Sequence, residues 1–600
     1  MRELRVWAPI AERLDLRLES RGLLVPMQRE DAGPQDAGRK DAGREDGARG
    51  GWRGWWRSEL EVEPGEDYRL SIDGGAPLPD PRSGWQPDGV HGPSRVVDHE
   101  AHRWSDVAWR GPHLPSEVVY EAHVGTFSPE GTFYGAVRRL DHLASLGAGI
   151  VELMPVAEFP GGWGWGYDGV DLYAPHHGYG GPAGLRRLAD EAHARGLGVF
   201  LDVVYNHLGP DGNYLSHFGP YFTDRYSTPW GRALNLDGPG SDGVRSFLVG
   251  NALHWLERYH VDGLRLDAVH AIVDTSAVHL LEQLSAAVAD LAARLGRRLW
   301  LVAESDLNDP RLVRPVEAGG YGLDAQWSDD FHHALWAALT GEGQGYYGDF
   351  GTLSDVARAL ETGWVYDGRY STYRGRRHGR PATGVPGSRL LGYLQNHDQV
   401  GNRALGERAA HLMTPDRLAV AAGIVCCSPF VPMIFQGEEW GARTPFRYFC
   451  DHQDPELAAA VSGGRRREFA AFGWDPDRVP DPQDPATFAT SRLDWTEAAR
   501  DDHRRLLGWW RTLLAVRRRC GWLSDGRMDR VRALADDPAG VLLVTRGPGM
   551  AAANLGRAEV AVAAPPGALV LAASRAGVVL RGGEALLPPD SFALLGPQPE

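Results

Sequence analysis

Asp267, Glu304 and Asp398 each follow an apolar segment that is typical of a short buried strand. Carboxylates gathered at one site can act as acid, base or nucleophile, or they can hold a metal ion. Arg265 lies two residues before Asp267 and therefore points to the same face of its strand. A cation beside a carboxyl group lowers its pKa, so this spacing predicts that Asp267 is kept ionised.

Further polar residues stand at the ends of the same predicted strands and of one more. They are Asp202, Asn206, His207, His270, Asn396, His397 and Gln399. Taken singly, an aspartate at a strand end often caps the next helix, and a histidine often lies in the core. Three carboxylates and three histidines at the ends of four strands favour one functional site instead. A calcium site at Asp202, Asn206 and His207 stays open, whereas no third ligand follows at zinc spacing.

The elements that must position these residues alternate between strand and helix. Apolar runs predict strands at 118–124, 150–156, 198–206, 263–269, 299–305, 322–327, 389–396 and 432–437. Amphipathic stretches between and after them predict helices such as 136–147, 184–196, 244–260, 280–296 and 502–519. Eight such strands over roughly 400 residues predict an α/β fold, a parallel (β/α)8 TIM barrel with loop insertions. Chemistry in such barrels lies at the carboxyl ends of the strands.

Two regions flank the predicted barrel, which we place at residues 112–520. Both contain short segments in which apolar and polar residues alternate, a pattern typical of β-strands. Residues 1–100 predict an all-β sandwich domain, similar to a glycan-binding module, and residues 525–600 a small C-terminal β domain. A DAG repeat with few large apolar side chains predicts a disordered loop at 28–50. We assign no function to that loop.

The composition limits the classes of partner. Six hundred residues with 43 % hydrophobic and 24 % charged residues are typical of a soluble globular protein of several domains. The net charge of −16 argues against nucleic acid or an anionic membrane as partner. The N-terminus lacks the apolar region of a signal peptide, and no stretch is long enough to span a bilayer. We expect a cytoplasmic location, with a monomer or a homodimer both open.

Four ordered segments resemble the signature segments of the α-amylase family of glycoside hydrolases. They are DVVYNH (202–207), GLRLDAVH (263–270), VAES (302–305) and QNHDQ (395–399). The resemblance implies that Asp267 is the nucleophile, Glu304 the general acid and base, and Asp398 a third carboxylate that binds sugar hydroxyls. It further implies retention of anomeric configuration, for which the first two carboxyls lie close together.

The same resemblance assigns sugar contacts to aromatic and imidazole side chains. His207 and His397 match residues that hydrogen-bond the sugar at the cleavage position, and Tyr167 matches a tyrosine that stacks on it. Asp202 is expected to support His207 and Arg265 rather than to touch substrate. The resemblance implies no cofactor and no metal ion.

Longer segments resemble one branch of that family, which releases trehalose from trehalose-capped malto-oligosaccharides. They include VYEAHVGTFSPEGTF (119–133), WSDDFHHAL (327–335) and GEEWGARTPF (437–446). The implied substrate is an α-1,4-glucan capped by trehalose, and the implied functional partner is the synthase that makes it. His270, Asp329, Asp330, His332 and His333 are expected to shape the trehalose-accepting side.

Two other functions remain as alternatives at the level of the sequence. A glycogen-branching or debranching enzyme would share the barrel and the N-terminal β domain. A non-catalytic α-glucan-binding protein would be expected to lack at least one of Asp267, Glu304 and Asp398, all of which are present.

Overall fold

Eight parallel strands form a closed barrel at the centre of the protein. The computed structural model describes residues 3–30, 54–471 and 478–598. We number the barrel strands β1 to β8: Val119–Ala122, Ile150–Leu153, Gly198–Val203, Gly263–Leu266, Trp300–Ala303, Ala325–Trp327, Leu390–Gly392 and Val431–Phe435. Each strand pairs with its neighbours in chain order, and β8 closes on β1. The predicted TIM barrel is confirmed, and its strands are apolar because helices cover their outer face.

The main helices surround this barrel. We number them α1 to α8: Leu140–Leu146, Gly181–His193, Ser241–Arg258, Leu280–Leu295, Asp329–Thr340, Leu353–Thr362, Pro415–Cys427 and Asp501–Arg519. In α4 the buried side chains recur at helical spacing, with Leu280, Leu284, Val288 and Leu291 on the face toward the strands. Within the described ranges, no helix combines the length and the apolar composition that crossing a bilayer requires.

The connection from β5 to β6 departs from the regular alternation. Residues 304–324 hold only a 3-10 turn, Val316–Ala318, whereas α5 and α6 both follow β6. Two prolines and three glycines fall in this connection, and these residue types end or prevent helices. The polar side chains after β5 are therefore carried by an irregular loop at the barrel mouth.

Strands at the start of the chain form two small antiparallel sheets. One contains Arg5–Trp7, Trp55–Arg57 and Gln28–Arg29, and the other Leu23–Pro26, Leu14–Leu18, Asp67–Ile72 and Ser94–Arg95. Gln28–Arg29, at the start of the predicted loop 28–50, pair with Trp56 and Arg57 as a strand. Residues 31–50, which carry the DAG repeat, lie outside the described residues.

Strands after α8 form a five-stranded and a three-stranded antiparallel sheet. The first has the order Val531–Asp536, Val541–Arg546, Gly549–Asn554, Ser591–Gly596 and Leu569–Ala573. The second has the order Val560–Ala563, Glu584–Leu587 and Val579–Arg581. The additional β structure predicted at both ends of the chain is thus present.

Two buried arginines donate to the end of α7, and one of them, Arg546, comes from the C-terminal sheet. Arg517 of α8 donates to the carbonyl oxygen of Cys426 at 2.8 Å, and Arg546 of the sheet donates to that of Cys427 at 3.2 Å. These carbonyls end α7, where the helix dipole favours positive charge. Burial, with the repulsion of Arg517 added to it, lowers the pKa of Arg546 to about 9. Both side chains satisfy carbonyls that the helix leaves without partners.

Candidate active site

The carboxyl ends of the strands bring the predicted site residues to one mouth of the barrel. Asp202 lies on β3, Asp267 directly follows β4, and Glu304 directly follows β5. Asp398 lies in the short helix His397–Gly401 that begins soon after β7. The chain order of the strands is their order around the barrel, so Asp202, Asp267, Glu304 and Asp398, which are 37 or more positions apart, come to the same mouth.

Arg265 lies between three carboxylates. Its Nη1 is 2.7 Å from Oδ1 of Asp267 and 2.7 Å from Oδ2 of Asp202, and its Nη2 is 3.7 Å from Oε2 of Glu304. The guanidinium also packs over the ring of Trp327 at 4.4 Å. Burial opposes its charge, yet the surrounding carboxylates hold the pKa of Arg265 well above its usual value. The two side chains that spacing placed on one face of β4 are in contact.

Asp267 and Glu304 have different surroundings. Oδ1 of Asp267 accepts a hydrogen bond from Arg265, and Oδ2 accepts one from the side-chain amide of Asn206 at 2.8 Å. These contacts suit a carboxylate anion. Burial raises the pKa of Glu304 well above 4.5; the charge of Arg265 opposes this rise, and that of Asp267 adds to it. The contacts of Asp267 suit an anion, whereas the raised pKa of Glu304 favours its protonated form, which is the division that acid-base chemistry needs.

A strained backbone links the two groups. Ala268 has φ 38° and ψ 51°, in the left-handed region that non-glycine residues rarely occupy. This turn directs its N–H to Oε2 of Glu304 at 2.6 Å. The residue next to Asp267 therefore holds the second carboxyl in place. Strain of this kind is typical of functional sites, and nothing in the residue type of Ala268 signals it.

Tyr167 connects β3 to the residues after β7. Its hydroxyl is 2.6 Å from Oδ2 of Asp202 and 2.8 Å from Nε2 of His397, and its ring stacks on His397 at 5.3 Å. Burial raises the pKa of Asp202 to about 6, against the opposing charge of Arg265. Asp202 thus contacts Arg265, as expected, and also Tyr167, which was not predicted, whereas its predicted contact with His207 is absent from its described hydrogen bonds.

His207 forms one side wall of the mouth. Its Nε2 is 3.1 Å from the carbonyl oxygen of Tyr167, and its ring stacks on Trp230 at 4.5 Å. Trp230 lies between the hairpin strands Phe222–Thr228 and Gly231–Leu234, with 48 % of its surface exposed. Burial lowers the pKa of His207, so the ring is neutral near pH 7. The exposed indole was missed by sequence reasoning, because one tryptophan among 21 carries no positional signal.

Most of the possible metal-binding atoms of Asp202, Asn206 and His207 have hydrogen-bond partners within the protein. Oδ2 of Asp202 accepts from Arg265 and Tyr167, and the amide nitrogen of Asn206 donates to Asp267, whereas Oδ1 of Asp202 is buried without a hydrogen-bond partner. Elsewhere in the described residues Glu158, His176 and His177 come close enough to hold a metal ion. There Nδ1 of His177 bonds Glu158 at 2.6 Å, and both ring nitrogens of His176 contact backbone groups.

The acidic and imidazole run after β6 divides into two groups. Asp329 faces the mouth, accepts from the hydroxyl of Tyr393, and has its pKa raised by burial to about 7. Asp330 instead accepts from the backbone N–H groups of Val365 and Tyr366, both at 2.7 Å. Its carboxylate fixes the connection after α6, so the expectation that Asp330 binds substrate is not what its contacts show.

His332 and His333 lie within the protein rather than at its open face. His332 is fully buried, with Nδ1 2.6 Å from the carbonyl oxygen of Leu394 and Nε2 3.0 Å from the hydroxyl of Tyr347. His333 packs against the rings of Tyr346 and Phe350. Both belong to the wall behind the mouth, because their helix α5 turns them toward the core.

The remaining candidates differ in exposure. His270 is exposed on the 3-10 turn Val269–Ala271. Asn396 caps the next helix, with its Oδ1 accepting from the N–H of Asp398 at 2.9 Å and of Gln399 at 3.2 Å. Asp398 accepts from the amide of Asn402 at 2.6 Å. Asn396 therefore positions Asp398, while Gln399 is buried against the wall.

Removing the cation at the centre of this site should destabilise the fold. In Arg265→Met, Asp202 and Asp267 lose their shared partner, and breaking a buried ion pair costs about 3–5 kcal/mol. We expect a clearly lower midpoint of thermal unfolding. Arg311→Met is the matched control, because Arg311 pairs with Asp309 at the surface with 49 % of its side chain exposed. Equal midpoints for the two variants would contradict the role of Arg265.

Comparison with known proteins agrees with this geometry. The family description "Alpha amylase, catalytic domain" matches residues 92–224. The structure of a putative α-amylase from Salmonella typhimurium superposes with a TM-score of 0.87 at 36 % identity, over 99 % of this chain and 97 % of that one. The parallel barrel and its carboxylate-lined mouth make the protein a glycoside hydrolase of the α-amylase class.

Relatives of similar length narrow the class. The malto-oligosyltrehalose trehalohydrolase of Arthrobacter ramosus is 48 % identical over 99 % of this chain and 98 % of its own length. The one from Rhizobium sp. (strain M-11) is 49 % identical over 90 % and 91 %. The chain belongs to the malto-oligosyltrehalose trehalohydrolase family.

Proposed function

We propose that the protein hydrolyses the α-1,4 bond next to the terminal trehalose unit of malto-oligosyltrehalose. The products are trehalose and a malto-oligosaccharide. The observation that carries this proposal is the Arg265-centred cluster, in which Asp267 has anion-stabilising contacts and Glu304 has a raised pKa. The names of the full-length relatives support the choice of substrate.

The reaction follows from the two carboxyl groups. Glu304 gives its proton to the glycosidic oxygen while a carboxylate oxygen of Asp267 bonds to the anomeric carbon, and trehalose leaves. Glu304, now ionised, takes a proton from water, whose oxygen displaces Asp267 and releases the malto-oligosaccharide. Two displacements retain the anomeric configuration. Asp398 binds sugar hydroxyls and favours the distorted ring of the transition state.

The other side chains at the mouth would hold the sugars. Tyr167 offers its ring to the sugar that becomes bonded to Asp267. His207 and His397 would line the same position with their rings, since their ring nitrogens contact groups of the protein. Asp329 and His270 face the side on which the trehalose unit would lie. No cofactor takes part, and the substrate would come from a separate synthase that caps malto-oligosaccharides with trehalose.

Product analysis tests the proposed function. The protein is incubated separately with maltopentaosyl trehalose and with amylopectin, and the products are separated and identified. Free trehalose from the first substrate, with little change in the second, is the expected result. New α-1,6 branches or debranched chains from amylopectin, without trehalose release, would support the branching or debranching alternative. If the protein converts neither substrate, the remaining alternative is a non-catalytic protein that binds α-glucans.

The rate of trehalose release should persist above the pH range in which an ordinary glutamate holds its proton. Burial raises the pKa of Glu304 well above 4.5, and Glu304 must be protonated to start the reaction. We therefore expect kcat/KM to fall as the pH rises through this raised pKa. A fall in kcat/KM centred near the ordinary pKa of glutamate would show that a group other than the proposed Glu304 controls the loss of activity at high pH.

A further inference from the structure

Glu121 is a buried carboxylate that lies behind the site, within the segment 119–133 but outside the four signature segments. It is the third residue of β1, with 1 % of its surface exposed. Both of its oxygens face His397: Oε2 accepts the backbone N–H at 3.0 Å, and Oε1 is hydrogen-bonded to Nδ1. One side chain thus fixes both the backbone and the ring of His397.

The protons around Tyr167 determine which nitrogens of His397 carry hydrogen. The Tyr167 hydroxyl has one proton, which it donates to Oδ2 of Asp202 at 2.6 Å. The 2.8 Å contact between this hydroxyl and Nε2 of His397 then requires a proton on Nε2. The contact of Nδ1 with the Glu121 carboxylate requires a second proton. The ring is therefore an imidazolium paired with Glu121.

The charges that face His397 agree with this state. Burial opposes the charge on the ring, but the charge and the hydrogen bond of Glu121 exceed it and raise the pKa of His397. Asp398 acts in the same direction, and Arg265 opposes it. The rings of Tyr167, Trp165 and Trp327 complete the surroundings and carry no charge near pH 7.

A second glutamate provides a comparison within the same layer of the barrel. Glu152 on β2 is in register with Glu121 on β1 and is equally buried. Burial, with the charge of Glu121 added to it, raises the pKa of Glu152 well above 4.5. Glu152 has no contact with His397 among its described interactions. The two glutamates differ in their partners, because Glu121 is hydrogen-bonded to the ring and the backbone of His397.

We propose that Glu121 is a positioning residue for the proposed reaction. It holds His397 as a double donor whose Nε2–H is directed at the Tyr167 hydroxyl. The same chain of contacts continues through Tyr167, Asp202 and Arg265 to Asp267. The inference rests on the proposed function, in which Asp267 bonds to the sugar that lies against Tyr167.

Glu121→Gln tests this inference because it removes the charge and keeps the shape. The ring of His397 then loses its counter-ion and becomes neutral at a lower pH. We expect kcat/KM to fall about 10- to 100-fold, the range for losing the outer partner that orients a metal-binding imidazole. The ratio of wild-type to variant kcat/KM should also increase as the pH rises. Glu152→Gln is the matched control, with kcat/KM and pH profile close to those of the wild type.

A double-mutant cycle separates positioning from a general effect on the fold. If Glu121 acts through His397, Glu121→Gln should have almost no further effect on kcat/KM in a His397→Asn background. Equal effects in both backgrounds, or a ratio that does not change with pH, would overturn the proposal. Glu121→Asp keeps the charge, and it should retain more activity than Glu121→Gln even if both fold less well. The wild-type rate of trehalose release tests the proposed function. The ratios of wild-type to variant kcat/KM test the role of Glu121, and they can be measured on any α-glucan that the wild type cleaves.

Discussion

Asp267→Asn should lower the rate of trehalose release by about 10⁴-fold or more, because the amide cannot form the glycosyl ester. The protein should remain folded, since Arg265 keeps Asp202 as its partner at 2.7 Å. Initial rates on maltopentaosyl trehalose measure the effect, and circular dichroism checks the fold. Mass spectrometry of the wild type during turnover should detect the malto-oligosyl adduct that the variant lacks.

The control for this prediction is an aspartate of the same chemistry away from the mouth. Asp141 lies on α1 with 81 % of its side chain exposed and pairs with Arg195. Asp141→Asn should leave the rate unchanged. A rate for Asp267→Asn within about tenfold of the wild type would refute the assignment, because a reacting carboxylate contributes far more than that.

Glu304→Gln should lower the rate on maltopentaosyl trehalose about 10²- to 10⁴-fold, the range for losing a general acid. The trehalose leaving group needs a proton, which glutamine cannot supply. An α-maltosyl fluoride needs no proton to leave, so the first step on that substrate should be affected much less. The difference between the two substrates identifies Glu304 as the acid rather than as a structural residue.

The same variant checks the origin of the pH dependence. With α-maltosyl fluoride as substrate, the first step should lack the alkaline fall both in the wild type and in Glu304→Gln, because this leaving group needs no proton. Asp329 is another carboxyl with a raised pKa at the mouth, and Asp329→Asn should keep the alkaline fall on maltopentaosyl trehalose. A fall that disappears only in Asp329→Asn would transfer the titrating role to that residue.

Sequence reasoning predicted the strands and most of the mouth for a physical reason. Barrel strands covered on both faces are continuous apolar runs, and a polar residue at their end stands out, as Asp267 and Glu304 do. The same reasoning missed Glu121, because its partner His397 lies 276 positions away along the chain. It also missed the left-handed turn at Ala268, because alanine gives no sign of that conformation.

The polar residues that follow β6 show a second reason why the sequence alone does not predict every site residue. Residues Asp329 to His333 look alike as a polar cluster, and no pattern of residue types shows which side chains the helix turns inward. The structure places Asp329 toward the mouth and Asp330 on backbone N–H groups, one position apart. Function in such a run depends on helix phase relative to the strands, which is set by tertiary packing.

The contact of Arg546 with the end of α7 bears on how the protein unfolds. Detaching the C-terminal sheet would remove Arg546 from the carbonyl oxygen of Cys427 in an apolar setting, where a lost partner costs about 1–3 kcal/mol. The sheet and the barrel therefore support each other, and neither surface is suited to water. Melting of one should bring about melting of the other, so that the C-terminal strands act as part of one cooperative unit.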